Sequence, residues 1–321
     1  MNYIREKQMY NFEINKNGIS IKYDYLRGEF LLNSSIQDLS MIVPVSMCWL
    51  IEESCNLNCI YCYSSHKSMG DSDMTYQQII DNILRYNPVS VVLTGGEPTL
   101  NKYLIDILQY IDGRIVTIID SNGTTNVWDS LLPFMKNTVV RISIDSIDPK
   151  IIQIVRPSKN MSASSELAKI SDNIDMLIKS KIPIIVQTVL TSHNINCLDE
   201  LYLFLVKHKV PRWYISCVKQ PTNNQFCVDK LIVSHDSLLD IKKKTMFWNS
   251  KGIITTLSQE LDDGKASRLF IEKSGKYYVD TLQSGKQYIG VDPNNPTIKE
   301  IIDAIDINRH YNLYLKHSNL L

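Results

Sequence analysis

Cys55, Cys59 and Cys62 fall in one short run, Glu53-Ser54-Cys55-Asn56-Leu57-Asn58-Cys59-Ile60-Tyr61-Cys62. Three thiolates so close together are soft ligands, suited to zinc or to iron in a sulfur cluster. The C-x3-C-x2-C spacing lets the backbone wrap a cuboidal cluster from one side, and three ligands for its irons leave one iron open to a further ligand. The same cysteines with His66 would complete a tetrahedral Cys3His zinc site. These residues alone leave both chemistries open.

Some thirty residues downstream stands Val91-Val92-Leu93-Thr94-Gly95-Gly96-Glu97-Pro98-Thr99-Leu100, an apolar run that ends in a glycine pair, an acid and a proline. Glycine and proline there mark a turn, and glycine lets backbone approach a ligand closely. With the cysteine triplet first, Tyr61 before its last member and Gly95-Gly96-Glu97-Pro98 following, the chain resembles the radical S-adenosylmethionine (SAM) superfamily. The resemblance implies one 4Fe-4S cluster on Cys55, Cys59 and Cys62, with SAM on the open iron and reductive cleavage to a 5'-deoxyadenosyl radical. It also implies cofactor contacts from Gly95, Gly96, Glu97, Asn122, Ser143 and Asp145. Arg156 stands where a guanidinium pairs the SAM carboxylate in the family, a planar acid that arginine meets through two parallel hydrogen bonds. An electron donor such as flavodoxin or ferredoxin is implied as partner.

The elements that must position these residues alternate. Short β-branched or apolar runs at 44–51, 89–94, 114–119, 138–144, 183–190 and 211–218 predict six parallel strands. Helical spacing predicts helices between them: one from the capping box Thr75-Tyr76-Gln77-Gln78, and others over 103–111, 127–135, 166–180 and 198–208. The reading is α/β, a partial (β/α)6 barrel whose ligands meet the C-terminal ends of the strands.

Domain limits are expected at 1–43 for an N-terminal β extension, 44–220 for the barrel core and 221–321 for a C-terminal extension. Lys16-Asn17-Gly18 between two strand-like runs predicts an N-terminal hairpin, either a substrate-docking extension or, the reading we favour, a cap on the open bottom of the barrel. A second hairpin over 268–280 and a helix from Thr297 to about Asn308 resemble the SPASM or twitch extensions of peptide-modifying radical SAM enzymes. Those carry auxiliary clusters on cysteines, whereas here no cysteine follows Cys227 and Asp280 occupies a thiol position, so no second cluster is expected.

In 321 residues, 34 Lys and Arg balance 34 Asp and Glu, which gives no electrostatic ground for a nucleic-acid or anionic-membrane partner. Seven cysteines, no N-terminal apolar signal and no long apolar run predict a reduced, cytoplasmic protein without a membrane span. The resemblance favours a ribosomally made peptide as substrate, epimerised or cross-linked. A small-molecule substrate is the alternative, and a non-catalytic zinc or iron-sulfur sensor is the reading from a different class. For epimerisation a thiol must return a hydrogen atom. Alternation along Trp213, Tyr214, Ile215, Ser216 and Cys217 nominates Cys217, with Cys227 second.

Overall fold

The computed structural model describes residues 11–16, 19–24, 29–33, 44–62, 74–218, 228–258, 266–281 and 284–317. His66 and Cys227 lie outside them.

The chain begins with β1 (Asn11–Lys16), β2 (Ile19–Asp24) and β3 (Glu29–Asn33), paired antiparallel as the expected hairpin plus one strand. The main sheet starts with β4 (Ser46–Glu52). Strand and helix then alternate: α1 (Tyr76–Arg85), β5 (Ser90–Gly95), α2 (Leu104–Ile111), β6 (Val116–Ser121), α3 (Trp128–Leu131), β7 (Thr138–Ser143), α4 (Pro149–Val155), α5 (Ala163–Lys179), β8 (Ile184–Leu190), α6 (Leu198–Lys207) and β9 (Arg212–Cys217). The Thr75 capping box forms as read, with Gln78. The third helix is shorter than expected because Pro133, which has no N–H to give, falls in a single 3-10 turn after it.

The parallel sheet does not stop at six strands. α7 (His235–Ser250) returns the chain to β10 (Ile254–Ser258), which pairs parallel with β9. α7 escapes a periodicity search because only Ile241, Thr245 and Trp248 are buried on it, while Leu239, Met246 and Phe247 face outward. β11 (Leu269–Ile271) and β12 (Tyr277–Thr281) form the second expected hairpin, and β13 (Gly285–Tyr288) adds to it. β11 joins β4 in parallel, so the order is β10-β9-β8-β7-β6-β5-β4-β11-β12-β13 and the barrel stays open. The C-terminal helix is split into α8 (Ile298–Ala304) and α9 (Ile307–Tyr314) where Ile305 is extended, and β14 (Leu315–His317) closes onto β3.

Register assigns the two faces of the sheet. Trp213, Val186, Ile142 and Leu93 share one face and are completely buried. Trp213 packs at 4.8 Å on Trp248 of α7, which stacks on Tyr202 of α6, so this face meets the helices. Asp120, Arg141, Ser143, Gln187 and Tyr214 share the other, concave face. Among the described residues no helix is long and apolar enough to cross a membrane.

α9 is fastened at the N-terminal end of the sheet through His310, which is fully buried. Val45 N–H donates to its Nε2 at 3.0 Å and its Nδ1 lies 2.9 Å from Ser267 O, an arrangement that needs the neutral ring with its proton on Nδ1. Burial lowers the His310 pKa to about 4. The unfolded ring, near 6.5, therefore binds a proton before the folded one does, and stability falls as pH drops from about 6.5 toward 4, by about 1.4 kcal/mol per pH unit. Denaturant titrations over that range should show this slope in the wild type and a flatter one in His310→Gln. An unchanged slope would assign the acid sensitivity to another group.

Candidate functional site

The cysteine run leaves β4 as an irregular loop, so its backbone must find partners outside itself. One side leans on the end of β5: Gly96 N–H donates to Glu52 O at 2.7 Å and Glu97 N–H to Ser54 O at 2.8 Å. A Cβ on Gly95, whose φ is +135°, would stand 2.1 Å from Glu52 O, and one on Gly96 would stand 2.3 Å from Ser54 O. Only glycine permits that approach.

The other side is clamped by the segment after α4. Asn58 N–H donates to Pro157 O at 2.8 Å, Ile60 N–H to Val155 O at 3.0 Å and Lys159 N–H to Asn56 O at 3.1 Å. The Lys159 ammonium reaches Cys55 O at 2.7 Å. No sequence pattern marks this clamp, because it joins residues about a hundred positions apart.

Glu97 is 1% exposed and its carboxylate is consumed within the protein. Oε1 accepts from Thr99 N–H at 3.1 Å, from the Thr99 hydroxyl at 2.5 Å and from the Ser121 hydroxyl at 2.8 Å, while Oε2 accepts from Asn122 N–H at 2.7 Å. Burial raises its pKa and these hydrogen bonds pull the other way, leaving it above the usual value. Held in this way, the Asn122 amide donates to Asn56 Oδ1 at 2.7 Å and lies 3.9 Å from Cys55 Sγ.

Arg156, Asp145, Ser143 and Asn122 meet beneath the loop. The Arg156 guanidinium is 2% exposed; Nη1 donates to Ser143 O and Nη2 to Asn122 O at 3.3 Å. Nε stands 3.9 Å from Asp145 Oδ2 with no hydrogen-bond partner, and Nη2 stands 3.7 Å from Glu166 Oε1. Burial works against its charge, but Asp145, then Tyr61, Cys59 and Glu166, raise its pKa above the ordinary range. Asp145 accepts from the Tyr61 hydroxyl and, at 2.8 Å, from Val189 N–H. Tyr61 was legible as the aromatic of the cysteine motif; Glu166 and Lys159 carried no signal.

The three thiols are half-buried and near enough that Cys55 and Cys62 each add charge repulsion at Cys59. Burial pushes the Cys59 thiol up to about 12, so it stays protonated until a metal displaces its proton. Among the described residues no three His, Cys, Asp or Glu side chains stand where they would hold a single ion. The donor set of three thiols, with Leu57 N–H 3.5 Å and the Asn122 amide 3.9 Å from Cys55 Sγ, fits an iron-sulfur cluster, whose sulfurs accept such hydrogen bonds.

Cys217 stands apart. It ends β9 opposite Leu190, on the face of Trp213 and Ile215 that meets the helices, whereas Tyr214 and Ser216 take the concave face. The alternation is as read, but its parity is the reverse of that needed for a donor in the lumen.

Residues 50–205 match the model of the radical SAM superfamily. An uncharacterized protein of Methanocaldococcus jannaschii is 30% identical over 164 residues, 49% of this chain and 56% of that protein. A probable GTP 3',8-cyclase of Pyrococcus abyssi is 31% identical over 112 residues, 33% of this chain and 36% of the cyclase. The mycofactocin maturase MftC of Mycolicibacterium smegmatis is 24% identical over 163 residues, 49% of this chain and 40% of the maturase. The chain thus spans about half or less of the length of these relatives. The fold is shared with native anSMEcpe bearing bound AdoMet, at a TM-score of 0.66 and 17% identity over 84% of this chain and 83% of that one.

Removing Arg156 would leave Asp145 and Glu166 as buried carboxylates without their cation. Arg156→Ala should therefore lower the unfolding free energy by about 3–5 kcal/mol, read by denaturant titration. A change below about 1 kcal/mol, the range of exposed pairs, would contradict the buried network.

Proposed function

We propose, from the match of residues 50–205 to the radical SAM superfamily, that the chain is an enzyme that cleaves SAM reductively and uses the 5'-deoxyadenosyl radical to abstract hydrogen from a ribosomally made peptide. The observation that carries the reading is the cysteine loop, clamped at the C-terminal ends of the strands between Gly95-Gly96 and the segment anchored by Arg156. When bound by Cys55, Cys59 and Cys62, a 4Fe-4S cluster supplies the electron for SAM cleavage, taken in turn from a flavodoxin- or ferredoxin-like donor.

The chain's own residues have separable tasks. Gly95 and Gly96 bring the strand end against the loop, and Glu97 fixes Asn122 beside Cys55. Asp145 holds Tyr61, and Arg156 binds the ends of β6 and β7 together, so the rim that would receive SAM is set before the ligand arrives. Ser143 lies on the concave side of that rim. We assign the core to residues 44–220 and read 221–321 as an extension without a cluster of its own, although its β10 completes the parallel sheet.

A peptide substrate draws support from the maturase among the relatives, and a small molecule from the cyclase. Protein reconstituted anaerobically with iron and sulfide should hold about four irons per chain, and none specifically when the three cysteines are replaced by alanine. With dithionite and SAM it should release 5'-deoxyadenosine. Colourless protein that holds zinc and leaves SAM intact would defeat the enzyme reading, and close to eight bound irons would defeat the single-cluster reading.

A further inference from the structure

The concave face carries a charge pair that the cofactor site does not use. Asp120 and Arg141 face each other on β6 and β7, with Arg141 Nε donating to Asp120 Oδ1 and Nη2 to Oδ2 at 2.6 Å. Their neighbours Ile119, Val140 and Ile142 on the opposite face are completely buried, yet the Arg141 and Asp120 side chains are 22% and 26% exposed, in that order. They stand partly exposed on the concave face. Each lies two residues before a rim residue, Asp120 before Asn122 and Arg141 before Ser143, hence about 7 Å below the rim at strand rise.

Two strands separate β4 from β7 in the sheet, a distance of about 14 Å if it were flat. Burial works against the charge of Arg141; Asp120, and to a smaller degree Cys48 of β4 and Tyr23 of β2, favour it. Tyr23 is itself 1% exposed.

Arg141 presents five N–H donors in two edges. Asp120 takes the edge formed by Nε and Nη2; Nη1 has no protein partner among the described residues and is not among the buried polar atoms left unsatisfied. The remaining edge is a fork on the concave face, partly exposed and matched to a planar acceptor with two oxygens. Asp120 already neutralises the cation, so a doubly charged phosphate would meet more repulsion there than a singly charged carboxylate.

We propose that Arg141, oriented by Asp120, is the substrate anchor of the lumen and takes a carboxylate of the substrate, whether a peptide's or a small acid's. This rests on the radical SAM reading for the place where substrate must lie. It adds a ligand class and two residues to that reading.

Calorimetric titration of iron-reconstituted, SAM-saturated protein tests it, with SAM present so that the probe cannot occupy the SAM carboxylate position. N-acetylglycine should bind, and N-acetylglycinamide and inorganic phosphate should bind at least about tenfold more weakly, the loss expected for one bidentate charged contact. Arg141→Gln should weaken N-acetylglycine by a similar factor. Asp120→Asn, which removes the competing carboxylate and keeps the arginine, should tighten it severalfold, an effect that a merely structural ion pair would not produce. Succinate separates the sources: a tenfold preference for N-acetylglycine assigns the group to a peptide, and the reverse to a small acid. Equal binding of acid and amide, tighter binding of phosphate, or acid affinity unchanged in both variants would overturn the proposal. Failure to bind SAM at all would instead strike the enzyme reading on which it rests.

Discussion

The buried guanidinium of Arg156 is the constraint on which the upper end of this molecule depends. Taking a charge of that size out of water costs several kcal/mol unless partners replace the water. Here the partners are two strand-end carbonyls, Asn122 O and Ser143 O, and two carboxylates, Asp145 and Glu166. Satisfying one cation therefore draws β6, β7 and α5 to a common point. Because Arg156 sits in the segment whose backbone clamps the cysteine loop, the same interaction sets where Cys55 and Cys59 can stand.

A second constraint acts from the opposite side and is steric. The loop crosses the end of β5 so closely that no side chain fits at Gly95 or Gly96. Glu97, next in sequence, turns inward and spends its carboxylate on Thr99, Ser121 and Asn122. The acid thus acts on the site at one remove: it fixes the Asn122 backbone, and the Asn122 amide meets Asn56 and Cys55. A loop without regular structure gains a defined geometry only because both flanks are rigid.

What the sequence made legible follows from the range of each interaction. The strands of the barrel core lie within a residue or two of their expected bounds, because burial on both sides makes a strand a compact apolar run. The cysteines, the glycine pair and Tyr61 were visible because their chemistry demands particular residue types at short spacing. Glu166 and Lys159 were not, since their partners are supplied by folding alone. α7 was missed because a helix at the end of a sheet buries only a narrow stripe, here Ile241, Thr245 and Trp248. Cys217 illustrates a different limit: alternation gives the period of a strand but not its phase, and the phase was decided by Trp213 packing on Trp248.

That phase also divides labour across the sheet. The helix-facing side is largely hydrocarbon, and it leaves the concave side free to carry groups that would be costly in a core, among them Asp120, Arg141, Gln187 and Tyr214. In a closed barrel such groups would have to pack against one another. This sheet does not close: β11 to β13 extend it beyond β4 instead of meeting β10. His310 fastens α9 at the N-terminal end of β4. The cysteine loop occupies the opposite end. The concave side between those two ends is therefore lined by polar groups held on rigid strands, with Asp120 and Arg141 paired across β6 and β7.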